Sequence, residues 1–153
     1  MHVRLICVGK IRERYIADAA ADFRARLRSY LTLEEIEVKA ADGSRPAAAM
    51  KAEAAAILRH VEAHDIVWLL DRAGDAWSSE ELAAEMERFK LTGSQRLVLI
   101  VAGTHGAESS LQKRATRRWS LSRLTFLHEW ARAIVLEQLY RASKIARNEP
   151  YHH

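Results

Sequence analysis

The stretch Leu97-Val-Leu-Ile-Val-Ala-Gly-Thr-His-Gly106 decides the fold class. Its first six residues are apolar without alternation, the pattern of a strand covered on both faces. Glycines at 103 and 106 then end the run, permitting a tight turn, close backbone approach to a ligand and free amide donors. Working outward, such runs alternate with helical patterns. Residues 3–8 read as a strand ended by Gly9, and residues 11–30 as an amphipathic helix with Ile16, Ala19, Ala20, Phe23 and Leu27 on one face. Residues 33–38 alternate as a second strand. The turn chemistry of Asp42-Gly-Ser-Arg-Pro46 then leads into an alanine-rich helix over 47–62.

On the C-terminal side of that helix, Ile66-Val-Trp-Leu-Leu70 is another buried run, followed by Asp71-Arg-Ala-Gly74. Ser78 is placed to cap a helix that ends near Thr92-Gly93, with Glu81 completing a capping box. Residues 109–118 read as a short helix, 121–126 as the last strand and 130–147 as the last helix. Strands separated by helices predict an α/β fold, a mainly parallel sheet with helices on both faces, in one domain spanning 1–153. In such sheets ligands bind beyond the carboxyl ends of the strands, which directs attention to Leu70, to 102–106 and to 121–128.

Composition narrows the class. Apolar residues make up 49% and charged residues 29% of the 153, as in ordinary globular proteins. The lone Cys7 lies in a strand pattern and reads as buried packing. No apolar stretch approaches the length of a membrane span and no leader pattern opens the chain, so a cytoplasmic location is expected. There is no Gly-Lys-Ser/Thr loop and no Gly-x-Gly-x-x-Gly, which excludes the familiar nucleotide-binding loops. His60 and His64 lie four apart, but Glu62 is misplaced for a His-Glu-x-x-His site, so no metal is expected.

The net charge is +4, and its distribution is uneven. Between Lys113 and Arg147 stand nine basic residues against Glu129 and Glu137 only, an excess that reads as a solvated face or, given the unusual tail beside it, as a nucleic-acid footprint. The chain ends on Asn148-Glu-Pro-Tyr-His-His153, where Pro150 stops the helix and leaves Tyr151 and His152 to meet a neighbouring surface.

Three C-terminal motifs, Leu121-Ser-Arg-Leu-Thr-Phe-x-His128, Glu137-Gln-Leu-Tyr-Arg-Ala142 and Pro150-Tyr-His152, resemble the signature of the ribosomal RNA large-subunit methyltransferase H family, of the SPOUT class. The Val8-Gly-Lys start and the glycine loop agree with it. The resemblance implies an α/β knot with a C-terminal trefoil, a homodimer, and S-adenosylmethionine-dependent methylation of N3 of a pseudouridine in 23S rRNA, on the assembled ribosome. Neither DNA nor a membrane is then expected as a partner. It implies cofactor contacts at Leu70, Ala102, Gly103, Leu121, Ser122, Arg123, Leu124, Thr125 and Phe126. It also makes His128, Arg141, Tyr151 and His152 the candidates for substrate handling, the tail completing the partner's site. The chain departs from the family at Ala102, where glycine is usual, and at Leu127, where proline is usual. The competing expectation is a non-catalytic RNA- or nucleotide-binding module on the same scaffold.

Overall fold

The computed structural model describes residues 1–150. Ten elements follow in strict alternation among the described residues: β1 (His2–Val8), α1 (Arg14–Leu27), β2 (Thr32–Val38), α2 (Pro46–Leu58), β3 (Ile66–Ala76), α3 (Ser79–Leu91), β4 (Arg96–Val101), α4 (Ser109–Arg114), β5 (Arg117–Ser120) and α5 (His128–Ala146). The strands form one sheet in the order β2-β1-β4-β3-β5, and every neighbouring pair is parallel.

The order dictates where the helices lie. The steps from β1 to β2 and from β3 to β4 run toward the β2 edge, and their helices α1 and α3 pack on one face with α5. The steps from β2 to β3 and from β4 to β5 run the other way, and α2 and α4 pack on the opposite face. A constant crossover hand demands this division. Alternating side chains of one strand therefore feed two cores: Val3, Leu5 and Cys7 of β1 face α1 and α5, while Ile6 and Val8 face α2. Burial pushes the Cys7 thiol up to about 12, so it is an inert packing group.

Local chemistry explains the element ends. Pro46 stands at the first turn of α2, where its missing N–H costs nothing. Ser78 accepts from the Glu81 amide and Glu81 accepts from the Ser78 amide, the capping box expected for α3. The last strand lies earlier than the apolar pattern of 121–126 implies. After α4 the Thr116 amide donates to the Val67 carbonyl at 2.8 Å, and pairing with β3 begins at once, so Arg117–Ser120 is the strand. Residues 121–127 are irregular instead: the Ser120 hydroxyl donates to the Ser122 carbonyl and the Leu124 amide to the Ser122 hydroxyl, turns that compete with a ladder. The exposed Leu124, Phe126 and Leu127 mimic a strand's apolar pattern without a sheet to cover them.

A buried ionic network seats α5. Arg132 donates to Glu35 at 2.7 Å and to Glu37 at 2.7 Å, two acids on one face of β2, and Arg24 of α1 also pairs with Glu35. The Arg132 side chain is only 6% exposed, so its charge depends on these partners. Burial alone would raise the Glu35 carboxyl, but hydrogen bonds from Arg24 and Arg132 prevail and hold it below the ordinary range.

Two outcomes follow for stability. Arg132→Ala should cost about 1–3 kcal/mol in urea unfolding, because it removes a buried side chain and leaves the half-buried Glu35 to Arg24 alone. Glu35 contributes stability that is present above its unfolded value of 4.5 and lost as pH falls through its lower folded value. The wild-type chain should thus weaken in acid below that value, and Glu35→Gln should show a shallower dependence.

Candidate functional site

A cleft of about 720 Å³ opens beyond the carboxyl ends of β3, β4 and β5. Its size is that of a small-molecule or cofactor site. Three segments wall it, and each has a local cause.

The first wall is residues 70–73. Leu70 and Asp75 both register with Trp119 of β5, so residues 71–74 loop out of β3 as a bulge. Gly74 makes this possible: a Cβ there would lie 2.9 Å from the Trp119 nitrogen and overlap the Arg118 carbonyl. Asp71 accepts from Arg118 at 2.6 Å and from the Ala73 amide at 2.9 Å, which holds the loop's shape. The Arg72 side chain donates to Thr125 at 3.0 Å, tying this wall to the third. Beneath the bulge, Trp77 stacks on Trp119 with centroids 5.9 Å apart and meets Trp68 edge-on at 5.2 Å.

The second wall is the loop after β4. The Gly106 amide donates to the Gly103 carbonyl at 3.0 Å, and Gly106 takes φ +87°, where glycine is favoured. Gly103 has a different reason. A Cβ there would stand 2.6 Å from Oε2 of Glu53, a buried carboxylate of α2 whose Oε1 accepts from the Ala41 amide at 3.0 Å. Its absent side chain therefore accommodates an acid from behind the wall. At the end of the loop, the hydroxyls of Ser110 and Ser109 and the Ser110 amide hold the Glu108 carboxyl down at about 2, an anion at the start of α4.

The third wall is 121–128. His128 opens α5, and its Nε2 lies 3.6 Å from where a Gly9 Cβ would sit. The next residue, Glu129, accepts from the amides of Arg12 and Glu13 at 2.9 and 3.2 Å, so the first turn of α5 clasps the start of α1. Leu124 and Leu127 are largely exposed at 71% and 68%.

Of the residues singled out in the sequence, Leu70, Ala102, Gly103, Leu121, Ser122, Leu124, Thr125, Phe126 and His128 all line this cleft. Arg123 does not; it is exposed. Arg141 stands thirteen residues beyond His128, about 20 Å along α5, and pairs with Glu137 at 2.6 Å. Tyr151 and His152 lie outside the described residues. Thr104 and His105, within the 102–106 loop to which the sequence directs attention, also line the cleft, as do Asp71, Arg72, Trp119 and Ala131, which the sequence reading did not single out as site residues. The sequence reading also passed over Glu53, although that acid sits on the same helix face as Ala49 and Ile57, where an unpaired charge is a signal.

The basic C-terminal third is mostly engaged. Arg114 donates to the Glu62 and Asp65 carbonyls, Arg117 faces Glu85, Arg118 pairs with Asp71, and Arg132 with Glu35 and Glu37. Arg141 pairs with Glu137, Lys144 with Glu149, and Arg147 covers the Tyr30 ring at 4.5 Å. The excess seen in the sequence is largely answered by acids and carbonyls from elsewhere in the fold.

Residues 1–152 match the family described as predicted SPOUT methyltransferase. The chain is 40% identical over 154 residues to the ribosomal RNA large subunit methyltransferase H of Syntrophotalea carbinolica, covering 99% of each chain. The protein of that name from Gloeobacter violaceus is 40% identical over 153 residues, covering 100% of this chain and 99% of its own. Among solved structures, a probable methylase family protein from Haemophilus influenzae Rd KW20 superposes with a TM-score of 0.58 at 12% identity, over 99% of this chain and 70% of that one. This last likeness concerns the fold alone.

Gly103→Ala should lower the melting temperature by several degrees, since overpacking costs about 1–3 kcal/mol. Adding Glu53→Ala should recover part of that loss in calorimetric melts, because the methyl and the carboxylate compete for the same space. Strictly additive losses would show that the glycine answers to something else.

Proposed function

The chain belongs to the SPOUT methyltransferase family, and on that premise we propose that it methylates N3 of a pseudouridine in 23S rRNA, using S-adenosylmethionine, on the assembled ribosome. The observation that carries this reading is the cleft itself, in which the 121–128 motif meets residues 70–73 and 101–107 at the carboxyl edge of a parallel sheet.

The cleft fits the proposed donor in size and lining. Leu70, Leu121, Leu124 and Phe126 offer apolar surface to a flat heterocycle, and Ser122, Thr104 and the loop backbone offer polar partners. Ala102 adds one methyl to the usual glycine, in a wall whose neighbour Gly103 stays bare. When bound, S-adenosylmethionine supplies a methyl group already activated on a sulfonium sulfur. The residues of this chain then have two tasks. The walls orient the donor and keep water from it, so that the target nitrogen approaches along the line of the breaking carbon–sulfur bond. The imide proton of N3 must also leave as the nitrogen–carbon bond forms. His152, or a water it holds, accepts that proton, and Arg141 faces the negative charge left on the base. Proton acceptance of this kind is worth ~10²–10⁴-fold.

Arg141 lies too far along α5 to reach its own cleft, which is the reason to read the protein as a homodimer whose subunits complete each other's sites. An unpartnered apolar surface supports this. Tyr15 and Trp130, 60% and 37% exposed, meet with ring centroids 5.9 Å apart, next to the exposed Leu127 at the start of α5. The threaded C-terminal segment belongs to the same reading. Its support is that Arg72 holds the 120–125 segment from two sides, its carbonyl accepting from Ser120 and its guanidinium donating to Thr125.

Labelled methyl transfer to ribosomes that lack the modification tests the reaction. Transfer should be efficient on ribosomes, weak on protein-free 23S RNA, and lost when residues 151–153 are deleted; unchanged transfer by the truncated chain would remove His152 from its role. The double variant Tyr15→Asp/Trp130→Asp should sediment as a monomer and lose activity with it. A wild-type protein that is already monomeric and active would contradict the shared site.

A further inference from the structure

We propose, on the reading that the substrate is ribosomal RNA, that the RNA docks across the carboxyl edge of the sheet through Lys10, Arg12, Lys39, Arg45 and Arg123, and that the basic clusters over 114–118 and 132–147 are not its footprint. The first ground is which cations are free. Phosphate contacts need positive groups that are not already neutralised. In the C-terminal third, Arg114, Arg117, Arg118, Arg132, Arg141, Lys144 and Arg147 are all held by acids, carbonyls or a ring. Lys10, Arg12, Lys39, Arg45 and Arg123 are exposed, and among the described residues their side-chain nitrogens have no ion-pair or hydrogen-bond partner.

The second ground is where those cations sit. Because the sheet is entirely parallel, every strand ends at one edge. Lys10 and Arg12 follow β1, Lys39 and Arg45 follow β2, and Arg123 follows β5. Contacts make this a continuous rim around the cleft. Gly9 abuts His128, and Gly43, in the loop that carries Arg45, lies so that a Cβ would be 3.2 Å from Nε2 of His105 on the cleft's second wall. Glu53 of α2 joins the same two loops, accepting from Ala41 while lying behind Gly103. The four longer helices, α1, α2, α3 and α5, also begin at this edge, each following a strand, and present their positive ends there.

Three acids of the rim are engaged by neighbouring amides and hydroxyls, which keep them ionised, so they offset part of the rim's positive charge. Asp42 accepts from the Ser44 amide and hydroxyl, Glu108 from Ser109 and Ser110, and Glu129 from the Arg12 and Glu13 amides. Glu13 and Asp75 are the acids of this edge without such a partner among the described residues. A nucleotide entering the cleft brings its flanking phosphates over this rim, so the free cations stand where the polyanion must pass.

Two triple variants of equal charge separate the rim from the rest of the surface. Lys10→Gln/Lys39→Gln/Arg45→Gln removes three rim cations, none of which lines the cleft. Arg28→Gln/Lys90→Gln/Lys113→Gln removes three exposed cations remote from the rim, at the C-terminal ends of α1, α3 and α4. Ribosome binding is measured from low to physiological salt, together with KM and kcat for methyl transfer and calorimetric affinity for S-adenosylmethionine. The rim triple should lower the slope of log affinity against log salt by about two to three and raise KM for ribosomes at least about tenfold. Its kcat at saturating ribosomes and its donor affinity should match wild type. The remote triple should change little. Equal losses in both triples, or an unchanged slope in the rim triple, would overturn the docking surface. A wild-type protein that binds and methylates no ribosomes would overturn the substrate reading instead. Should the rim triple fail to fold, single Lys39→Gln and Arg45→Gln variants carry the same test, each lowering the slope by about one.

Discussion

The last strand ends at one edge of the sheet, and the last helix must begin beside β1, three strands away. That distance is about 15 Å at ordinary strand spacing, and residues 121–127 have to cover it. They can do so only by crossing the carboxyl ends of β3 and β4, because a parallel sheet leaves β5 at that edge. The cleft is the space beneath this crossing. Its other two walls are the β3 bulge, opened by the close backbone approach at Gly74, and the glycine loop after β4.

The crossing is anchored at its far end by α5, whose apolar face is buried in the core and whose first turns are also held by charges. Arg132 reaches Glu35 and Glu37 within the fold, while Glu129 binds the backbone of the α1 start. One turn of helix thereby fixes His128 against Gly9 and sets the third wall of the cleft. The same use of charge explains why the C-terminal third is so basic. Its arginines are largely structural, and the free cations around the cleft lie in loops contributed by the first half of the chain and at Arg123.

The alternation of buried runs and helical patterns made the α/β sheet and its cleft edge legible in the sequence, since both rest on local periodicity and on glycine. Leu97 to Gly106 behaves as read. The 121–126 segment does not, because its apolar residues are exposed over a cleft and its serines favour turns over a ladder. The bulge at 71–74 was hidden because it depends on a backbone contact with Arg118, which no local pattern records. The role of Glu53 was likewise hidden, since its partners at Ala41 and Gly103 come from two other loops. The pairing of the C-terminal arginines depends on acids far away in sequence, such as Glu35 and Asp71, so counting charges along the chain overstated what they could offer to RNA.

The account stands on the claim that the space under the crossing is the methyl donor's site. Amide hydrogen exchange with and without S-adenosylmethionine tests it most directly. The account predicts protection on donor binding confined to three separated stretches, 70–73, 101–107 and 121–128, with 32–62 unchanged. Binding that protects the groove between β2 and α2 instead, or leaves 121–128 exchanging as before, would contradict it.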